Sequence, residues 1–290
     1  MRVAIIGGSG KMGRWFASFL LKDGKEVVIT GRNRERLLEA RQQLGVEVAP
    51  DLSSAVKGAD VVLISVPIDN FEEVVKQLQP QIHNEQLVLD ITSIKVMPVT
   101  IMHRYIKTGT ILGVHPVFGP GAKDIINRNF VLTPTNGPET ELAQKIKQYL
   151  ETREARVTLM TPQEHDEMMA VILGLSHFIA IASADTLLSL GKLKQLKAIS
   201  GSTYRFLLTL TESVISEDPG LYASIQMNLP KLGEIEALFR KNVTKWAGII
   251  KSKDRQEFVA RMSAIKEGME KGDPDFGKAY ENMYKFLEKQ

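Results

Sequence analysis

One histidine stands where it could take part in proton transfer. His115 lies in Gly113–Pro120, directly after a short apolar run, and the Pro that follows it restricts the backbone at this point. An imidazole titrates near neutral pH, so it can accept or release a proton during a reaction. Of the five His in the chain, only His115 combines these features. We predict that it is a general acid or base.

A glycine-rich hexapeptide follows the first apolar segment. It matches G-x-G-x-x-G and leads into a helix-like segment, where Gly permits a tight turn, close approach to a pyrophosphate and close helix packing. The helix N-terminus also favours a negative charge. In a P-loop, the other common phosphate-binding loop, Ser or Thr follows the Lys, whereas Met12 follows Lys11 here. We predict a dinucleotide site; a glycine turn without a ligand is the alternative. The residues are Gly8, Ser9, Gly10, Lys11, Met12 and Gly13.

The end of the second predicted strand indicates which dinucleotide binds. An NAD site usually carries Asp or Glu about 20 residues after the loop, to bind the ribose 2′-hydroxyl. Here the strand runs into Gly31-Arg32-Asn33-Arg34, without a carboxylate. Gly31 leaves room for a 2′-phosphate, and Arg32 could bind it while stacking on adenine, with Arg34 as a second candidate. We predict NADP rather than NAD. The alternative is that both Arg lie on a solvated helix face.

Two further strand ends carry candidate residues. Ligands of doubly wound sheets bind beyond the carboxyl ends of the strands. Ser65 and Pro67 follow one apolar run, and we predict that they line the cofactor site. Ser93 follows the next apolar run, and its hydroxyl could cap the helix that comes after it in the chain. Lys95 could simply be the solvated start of that helix.

The segments between these residues alternate between strand and helix patterns, which predicts a Rossmann-type doubly wound parallel sheet over residues 1–160. From Thr161 onward the strand pattern stops, and we predict an all-helical domain over residues 161–290. Its helices are apolar around much of their circumference, so we expect a homodimer formed through this domain. The predicted strands are Val3–Ile6, Glu26–Thr30, Val61–Ser65, Leu87–Ile91, Ile111–Val114, Phe130–Thr133 and Arg156–Met160.

The composition excludes several classes of protein. The chain has 290 residues, 43% hydrophobic and 24% charged, with no Cys, which excludes disulfides, zinc–thiolate sites and thiol catalysis. A net charge of +3 does not indicate a nucleic-acid partner. We find no apolar run that reaches the roughly 18 residues of a membrane span. The first strand leads directly into the glycine loop, so we expect no signal peptide. We also expect no metal site, no membrane association and a cytoplasmic location.

Four motifs together resemble a known family. They are the glycine loop, D-I-T-S-I-K at 90–95, H-P-V-F-G-P at 115–120, and the segment Glu164–Ala170 that continues to Leu175-Ser176-His177. In this order they are similar to those of the prephenate dehydrogenases of tyrosine biosynthesis. The resemblance covers both predicted domains and weakens beyond Asn228.

The resemblance implies a reaction and roles for particular residues. It implies oxidation of prephenate to 4-hydroxyphenylpyruvate, with loss of CO2 and hydride transfer to the cofactor. His115 then matches the residue that engages the C4 hydroxyl, and Ser93 the serine that bonds this His. Asp166 and His177 are eleven residues apart, and eleven residues at 3.6 per turn complete three helical turns to within about 20°. The two side chains would therefore lie on the same face of a regular helix. On its residues alone His177 would be a core His; the resemblance implies that it helps to bind the substrate's side-chain carboxylate.

One position departs from the family. Alignment through Glu217-Asp218-Pro219 places Ser213 where relatives present an Arg that binds a substrate carboxylate. Arg205 is the remaining cation in this helix, and either it or a group of a partner chain would have to bind that carboxylate. Arg205 could alternatively form a structural ion pair. The departure leaves arogenate, the aminated analogue, open as the substrate.

Two other functions share this architecture. A β-hydroxyacid dehydrogenase would carry a catalytic Lys in the first helix of the second domain, and Gln163–Leu190 contains no Lys. A regulator that senses a dinucleotide without turnover would need no His115 or Ser93 at the reactive end of the cofactor.

Overall fold

The computed structural model describes residues 1–288. They form two compact units. The first contains Met1–Met169 together with Met227–Leu229, and the second contains Ala170–Gln226 and the described residues from Pro230 onward. The boundary thus lies beyond the predicted residue 160, because the helix Pro162–Met169 packs against elements of the first unit.

The first unit is built on one eight-stranded sheet in the order β3-β2-β1-β4-β5-β6-β7-β8. All neighbouring strands are parallel except β6 and β7, so the predicted doubly wound sheet is confirmed with one antiparallel pair. The loop 117–128 contains no crossover helix, which allows β7 to run back beside β6. The strands are β1 (Arg2–Ile6), β2 (Glu26–Thr30), β3 (Glu47–Val48), β4 (Val61–Ile64), β5 (Leu87–Asp90), β6 (Thr110–Pro116), β7 (Asn129–Thr133) and β8 (Arg156–Leu159).

Helices cover both faces of this sheet. Consecutive residues of β1 belong to different cores: Val3 and Ile5 pack in one cluster, Ala4 and Ile6 in the other. Burial on both faces explains why the strands are continuous apolar runs without alternation. The helices are α1 (Lys11–Lys22), α2 (Arg34–Leu44), α3 (Leu52–Val56), α4 (Phe71–Leu78), α5 (Val96–Tyr105), α6 (Gly137–Glu151) and α7 (Pro162–Met169).

The second unit is helical throughout its described residues. A π-helical turn, Ala170–Leu175, leads into α8, and a short break at Ile199–Gly201 separates α9 from α10. The helices are α8 (Ser176–Ser189), α9 (Leu193–Ala198), α10 (Ser202–Ile215), α11 (Pro219–Asn228), α12 (Leu232–Ser252), α13 (Arg255–Gly272) and α14 (Ala279–Glu288).

Apolar surface is unusually exposed in this unit. Leu188, Ile199, Ile250 and Met262 are 66%, 85%, 62% and 60% exposed, respectively. An 18-residue window within Pro162–Ser189 has a mean hydropathy of 1.8, and among the described residues this is the one helical segment long and apolar enough to cross a membrane. It meets that criterion by length and composition alone, a test that helices of water-soluble proteins also pass.

Candidate active site

The turn after β1 depends on glycine at three positions. Gly7, one residue before the predicted hexapeptide, has φ of +84°, and the amides of Gly7 and Gly8 donate to the carbonyl of Thr30 at 3.0 and 2.9 Å. A Cβ at Gly8 would lie 2.5 Å from that of Ile29, and one at Gly13 would lie 2.6 Å from the carbonyl oxygen of Gly7. The left-handed residue of this turn is therefore Gly7, which precedes the predicted hexapeptide.

The N-terminus of α1 fits a pyrophosphate. Gly10 is its N-cap and has no side chain to accept from the first amides of the helix, and no acidic residue stands in the first turn. Ser9 is half-buried, and its carbonyl accepts from Nε of Arg14 at 3.2 Å. Lys11 is exposed and Met12 half-buried, at the start of the helix. These observations match what binding of an anion at a helix N-terminus requires.

The loops after β2 and β4 lie against this turn. A Cβ added at Gly31 would lie 2.9 Å from Oγ of Ser9, and one added at Gly7 would lie 2.1 Å from the carbonyl oxygen of Ser65. Ser65 is half-buried and Pro67 is exposed. The structure thus brings these two residues to the same edge of the sheet as the glycine loop.

Arg32 and Arg34 are exposed at this edge. Nη1 of Arg32 lies 3.5 Å from Oδ1 of Asn70, which belongs to the loop after β4. Between them, Asn33 caps α2 by accepting from the amide of Arg36 at 2.9 Å. The cap fixes the start of α2, so Arg32 and Arg34 stand on either side of Asn33 just after β2, where an NAD site usually carries a carboxylate.

His115 lies near the end of β6 and is only 4% exposed. Its Nδ1 is 2.8 Å from Nε2 of His165, a residue of α7. Its Nε2 makes no hydrogen bond in residues 1–288, yet it is not among their fully covered unpaired polar atoms. One nitrogen of His115 is therefore paired inside the protein, while the other has no hydrogen-bond partner among the described residues.

The other ring nitrogen of His165 is hydrogen-bonded to a buried carboxylate. Its Nδ1 lies 2.7 Å from Oδ1 of Asp166. The same carboxylate accepts from the backbone amides of Lys95 and Val96, at 2.7 and 2.9 Å, at the N-terminus of α5. Asp166 therefore holds the start of α5 and the ring of His165 together, and the positive end of the helix stabilises its charge.

A buried ion pair lies beside this network. Nζ of Lys95 is 2.6 and 2.7 Å from the two carboxylate oxygens of Asp90, and both side chains are 0% exposed. Oδ1 of Asp90 also accepts from the amide and the hydroxyl of Thr92. The sequence suggested only a solvated helix start at Lys95, so its complete burial is an unexpected feature of the site.

The surroundings keep the imidazoles neutral. Burial, followed by His165 and the Lys95 ammonium, lowers the pKa of His115 well below its ordinary value near 6.5. Burial also lowers the pKa of His165, against the opposing effect of Asp166. Burial lowers the pKa of Lys95, and Asp90 opposes that shift. His115 is consequently in its basic form at neutral pH.

Ser93 stands close in sequence to this network but is not bonded to it. The residue is half-buried, and its hydroxyl forms no hydrogen bond within the part of the chain that the structure describes. The partner of His115 is His165, not the Ser93 that the resemblance implied. The resemblance placed the segment His165-Asp166 in the family motif without assigning it a role.

His177 and Arg205 belong to the second unit. Nδ1 of His177 is fully buried without a partner among residues 1–288, and its ring packs edge-on against Tyr222 at 4.6 Å. Burial lowers the pKa of His177. Arg205 is exposed, and its guanidinium forms no ion pair with any described residue. Ser213 is exposed and donates to the carbonyl of Leu210, which leaves Arg205 as the cation of α10.

No regular helix joins Asp166 to His177, as one face shared at 3.6 residues per turn would require. The π-helical turn Ala170–Leu175 lies between α7 and α8. Each π turn contains more residues than an α turn, so the angular relation differs from that of a regular helix. Such turns occur frequently at functional sites, but nothing in the sequence marked this one.

Comparisons with known proteins agree on one family. A family model described as prephenate dehydrogenase, nucleotide-binding domain, matches residues 16–159. A second, described as prephenate dehydrogenase, dimerization domain, matches residues 161–264. The two models together cover most of the chain.

Individual relatives are longer than this chain. A Methanocaldococcus jannaschii protein named "Probable arogenate/prephenate dehydrogenase" is 34% identical over 265 residues, which are 90% of this chain and 59% of that protein. The T-protein of Enterobacter agglomerans is 29% identical over 266 residues, 91% of this chain and 66% of its own length. The chain thus spans less than two thirds of each of these curated relatives.

Solved structures share the fold. Prephenate dehydrogenase from Aquifex aeolicus, in complex with hydroxyphenyl propionate and NAD+, has a TM-score of 0.78 at 21% identity, covering 94% of this chain and 98% of that one. Synechocystis arogenate dehydrogenase has a TM-score of 0.71 at 20% identity, covering 94% of this chain and 100% of that one. The fold, the motifs and the two matching domain models show that the chain belongs to the prephenate dehydrogenase family.

Proposed function

We propose that this chain is an NADP-dependent prephenate dehydrogenase acting in tyrosine biosynthesis. The observation that carries the proposal is His115: it is a neutral imidazole with one nitrogen paired inside the protein and the other without a partner among the described residues, on the sheet edge that also carries the glycine loop. The family assignment identifies the class of reaction in which such a base would act.

The chain's part in the reaction is proton transfer. Nε2 of His115 accepts the proton of the C4 hydroxyl, so the C4–oxygen bond can become a carbonyl as C4 loses its hydride. When bound, the nicotinamide dinucleotide supplies the hydride acceptor. The bond from C1 to its carboxylate then breaks, CO2 leaves, and the electron pair enters the ring, whose oxygen takes up a proton as it becomes a phenol. Aromatisation favours this second step strongly.

Cofactor binding follows from the glycine loop and its neighbours. Backbone amides of Gly8–Gly13 would hold the pyrophosphate, with Ser9, Lys11 and Met12 beside it and Ser65 and Pro67 on the flanking loop. Arg32 would bind a 2′-phosphate and Arg34 would reinforce the positive charge. The absence of a carboxylate after β2 supports NADP over NAD.

The substrate's carboxylates need partners in the helical unit. We propose Arg205, whose guanidinium is exposed, and His177, whose Nδ1 has no partner among the described residues. Ser213 at the position of the family's Arg favours arogenate as a second candidate substrate, because that departure affects carboxylate recognition. The relative named arogenate/prephenate dehydrogenase also supports testing both.

We further propose a cytoplasmic homodimer formed through the helical domain, with no nucleic-acid or membrane partner. The dimerization-domain match and the exposed apolar side chains of the second unit support the dimer. The catalytic role needs no metal, because the proton acceptor is an imidazole and the decarboxylation is driven by aromatisation.

One set of assays tests the proposal. The purified chain is mixed with prephenate or arogenate and with NADP or NAD, and reduction of the nicotinamide is followed by its absorbance. Turnover is expected, fastest with prephenate and NADP. His115→Asn should lower kcat by at least about 10²-fold while the Kd for NADP changes little. Dinucleotide binding without turnover of either substrate would instead support a sensor.

A further inference from the structure

His115 can act as a base only if its accessible nitrogen carries no proton. A neutral imidazole has one N–H and one bare nitrogen, and the bond made by one nitrogen determines the state of the other. We propose that His165 and Asp166 are positioning residues that keep the proton of His115 on Nδ1, leaving Nε2 free to accept the substrate proton. This inference rests on the proposed function and assigns roles to residues that the sequence left without one.

The chain of hydrogen bonds begins at Asp166. An ionised carboxylate can only accept, so the atom of His165 that faces it at 2.7 Å, Nδ1, must carry a proton. The amides of Lys95 and Val96, at the N-terminus of α5, donate to the two oxygens of the same carboxylate. Both oxygens therefore act as acceptors toward the backbone, which orients the carboxylate and gives the first bond its direction, from Nδ1 of His165 to Asp166.

The second bond takes its direction from the first. Neutral His165 with its proton on Nδ1 has a bare Nε2, which lies 2.8 Å from Nδ1 of His115. A hydrogen bond between two ring nitrogens needs one proton, and His165 has none left to give. Nδ1 of His115 must therefore be the donor, and its Nε2 is the bare nitrogen. The buried network ends in an unprotonated nitrogen, Nε2 of His115.

Burial of the two rings opposes a different arrangement. If His165 carried two protons it would donate to His115, whose own proton would then lie on Nε2. The charged groups that face the rings are Lys95 before α5, Asp90 from β5 and Asp166 from α7. Asp90 and Asp166 favour a positive charge on His165 and Lys95 disfavours one, but burial has the largest effect on both imidazoles and keeps them neutral.

Nitrogen-15 NMR of histidine-labelled protein tests the proposal without any substrate. With five His in the chain, His115 and His165 can be assigned by single replacements. Coupling of each ring nitrogen to the ring carbon-bound hydrogens distinguishes the two neutral tautomers. His115 is expected with its proton on Nδ1 near neutral pH. A proton on Nε2 in the wild-type protein would overturn the proposal.

Two replacements of His165 separate positioning from a structural role. In His165→Gln, the amide group can donate to Asp166 and present its oxygen to Nδ1 of His115, so the tautomer should be retained. In His165→Leu, no acceptor remains, and the proton should move to Nε2, where water can bind it. The exposed His83→Gln is the control for loss of a His elsewhere.

The kinetics should follow the tautomer. We expect His165→Leu to lower kcat by about 10²-fold or more, while KM and the dinucleotide Kd stay within about threefold. In serine proteases, Asp→Asn at the residue behind the catalytic His lowers kcat about 10⁴-fold by the same error of tautomer. His165→Gln should remain within about tenfold of wild type. Equal loss in both variants, or unchanged kcat in His165→Leu, would contradict the proposal.

The two proposals can fail independently. If wild-type protein turns over neither prephenate nor arogenate, the proposed function fails, whereas the NMR result still shows whether the network fixes the tautomer. If turnover occurs but the tautomer is wrong, the positioning role fails alone. Should His165→Leu not fold, the wild-type spectrum and His165→Gln still decide.

Discussion

At the scale of single residues, the site depends on which groups are kept neutral and which are kept charged. His115 is buried beside another imidazole and close to an ammonium group, and all three influences lower its pKa. Arg32 is exposed at the end of β2, where its charge is fully available to a ligand. Burial thus sets the pKa of the proposed base, His115, whereas exposure leaves the charge of Arg32 available for the proposed binding of a 2′-phosphate.

The lowered pKa of His115 predicts the pH dependence of the reaction. The reaction needs the unprotonated imidazole, so activity is lost as pH falls through the pKa of His115. Because burial lowers that pKa, the acidic limb of kcat/KM, which reports groups of the free enzyme, should lie below pH of about 6.5. A pH–rate profile of wild type and His83→Gln measures this. An acidic limb above that pH would show that His115 is not buried as the structure describes.

Arg32 should determine cofactor preference. Arg32→Ala removes the guanidinium proposed to bind the 2′-phosphate, so the Kd for NADP should rise by at least about tenfold while that for NAD changes little. Isothermal titration with each dinucleotide measures both values. Arg41→Ala, in the last turn of α2, is the matched control because it removes the same charge away from the strand end. An equal loss for both dinucleotides would show that Arg32 does not recognise the phosphate.

At the scale of elements, the loop between β5 and α5 connects the sheet to the catalytic network. Lys95 pairs with Asp90 through its side chain and holds Asp166 through its backbone amide. A buried pair of charges contributes little relative to apolar residues, but removal of one partner leaves the other uncompensated. Once either of the two charged side chains is buried, the folded protein therefore needs the other for its stability.

Stability measurements on this loop test that requirement. Lys95→Met should lower the free energy of unfolding by about 3–5 kcal/mol, because the Asp90 carboxylate remains buried alone. Adding Asp90→Asn should recover most of the loss, since the amide oxygen still accepts the Thr92 amide. Urea unfolding followed by circular dichroism compares the wild type, the single and the double variant. A double variant as unstable as the single one would contradict this explanation.

At the scale of the whole molecule, the two units differ in how completely they bury their apolar residues. Two closed cores flank the sheet of the first unit. Most of the exposed large apolar side chains lie in the helical unit, with Ile199 85% exposed. A surface of this kind is typical of a subunit interface.

The exposed apolar surface predicts the state of the protein in solution. We expect a dimer at micromolar concentration, with twice the mass of one chain, by analytical ultracentrifugation. Residues 161–264 match a dimerization domain, which supports this expectation. A stable monomer across that concentration range would contradict this prediction and would show that a second subunit does not cover the apolar surface of the helical unit.

The sequence by itself determined the order of the elements and the class of fold. Apolar runs, helix starts and glycine turns depend on neighbours a few residues away, so they can be recognised locally. The same reasoning identified His115 as a base candidate from its position at a strand end. It missed the two-residue β3, the antiparallel β7 and the left-handed Gly7, because a short edge strand, a strand's direction and a turn's register are decided by packing.

Only the tertiary structure decided the partners of the candidate base, His115. His115 and His165 are 50 residues apart, and no local pattern indicates that their rings meet. A Lys at a helix start normally predicts a solvated side chain, and only the packing of β5 against its neighbours buries Lys95 with Asp90. Hydrogen-bond partners are chosen in space, whereas periodicity and turn chemistry act along the chain, so the sequence could indicate the base but not the network that sets its tautomer.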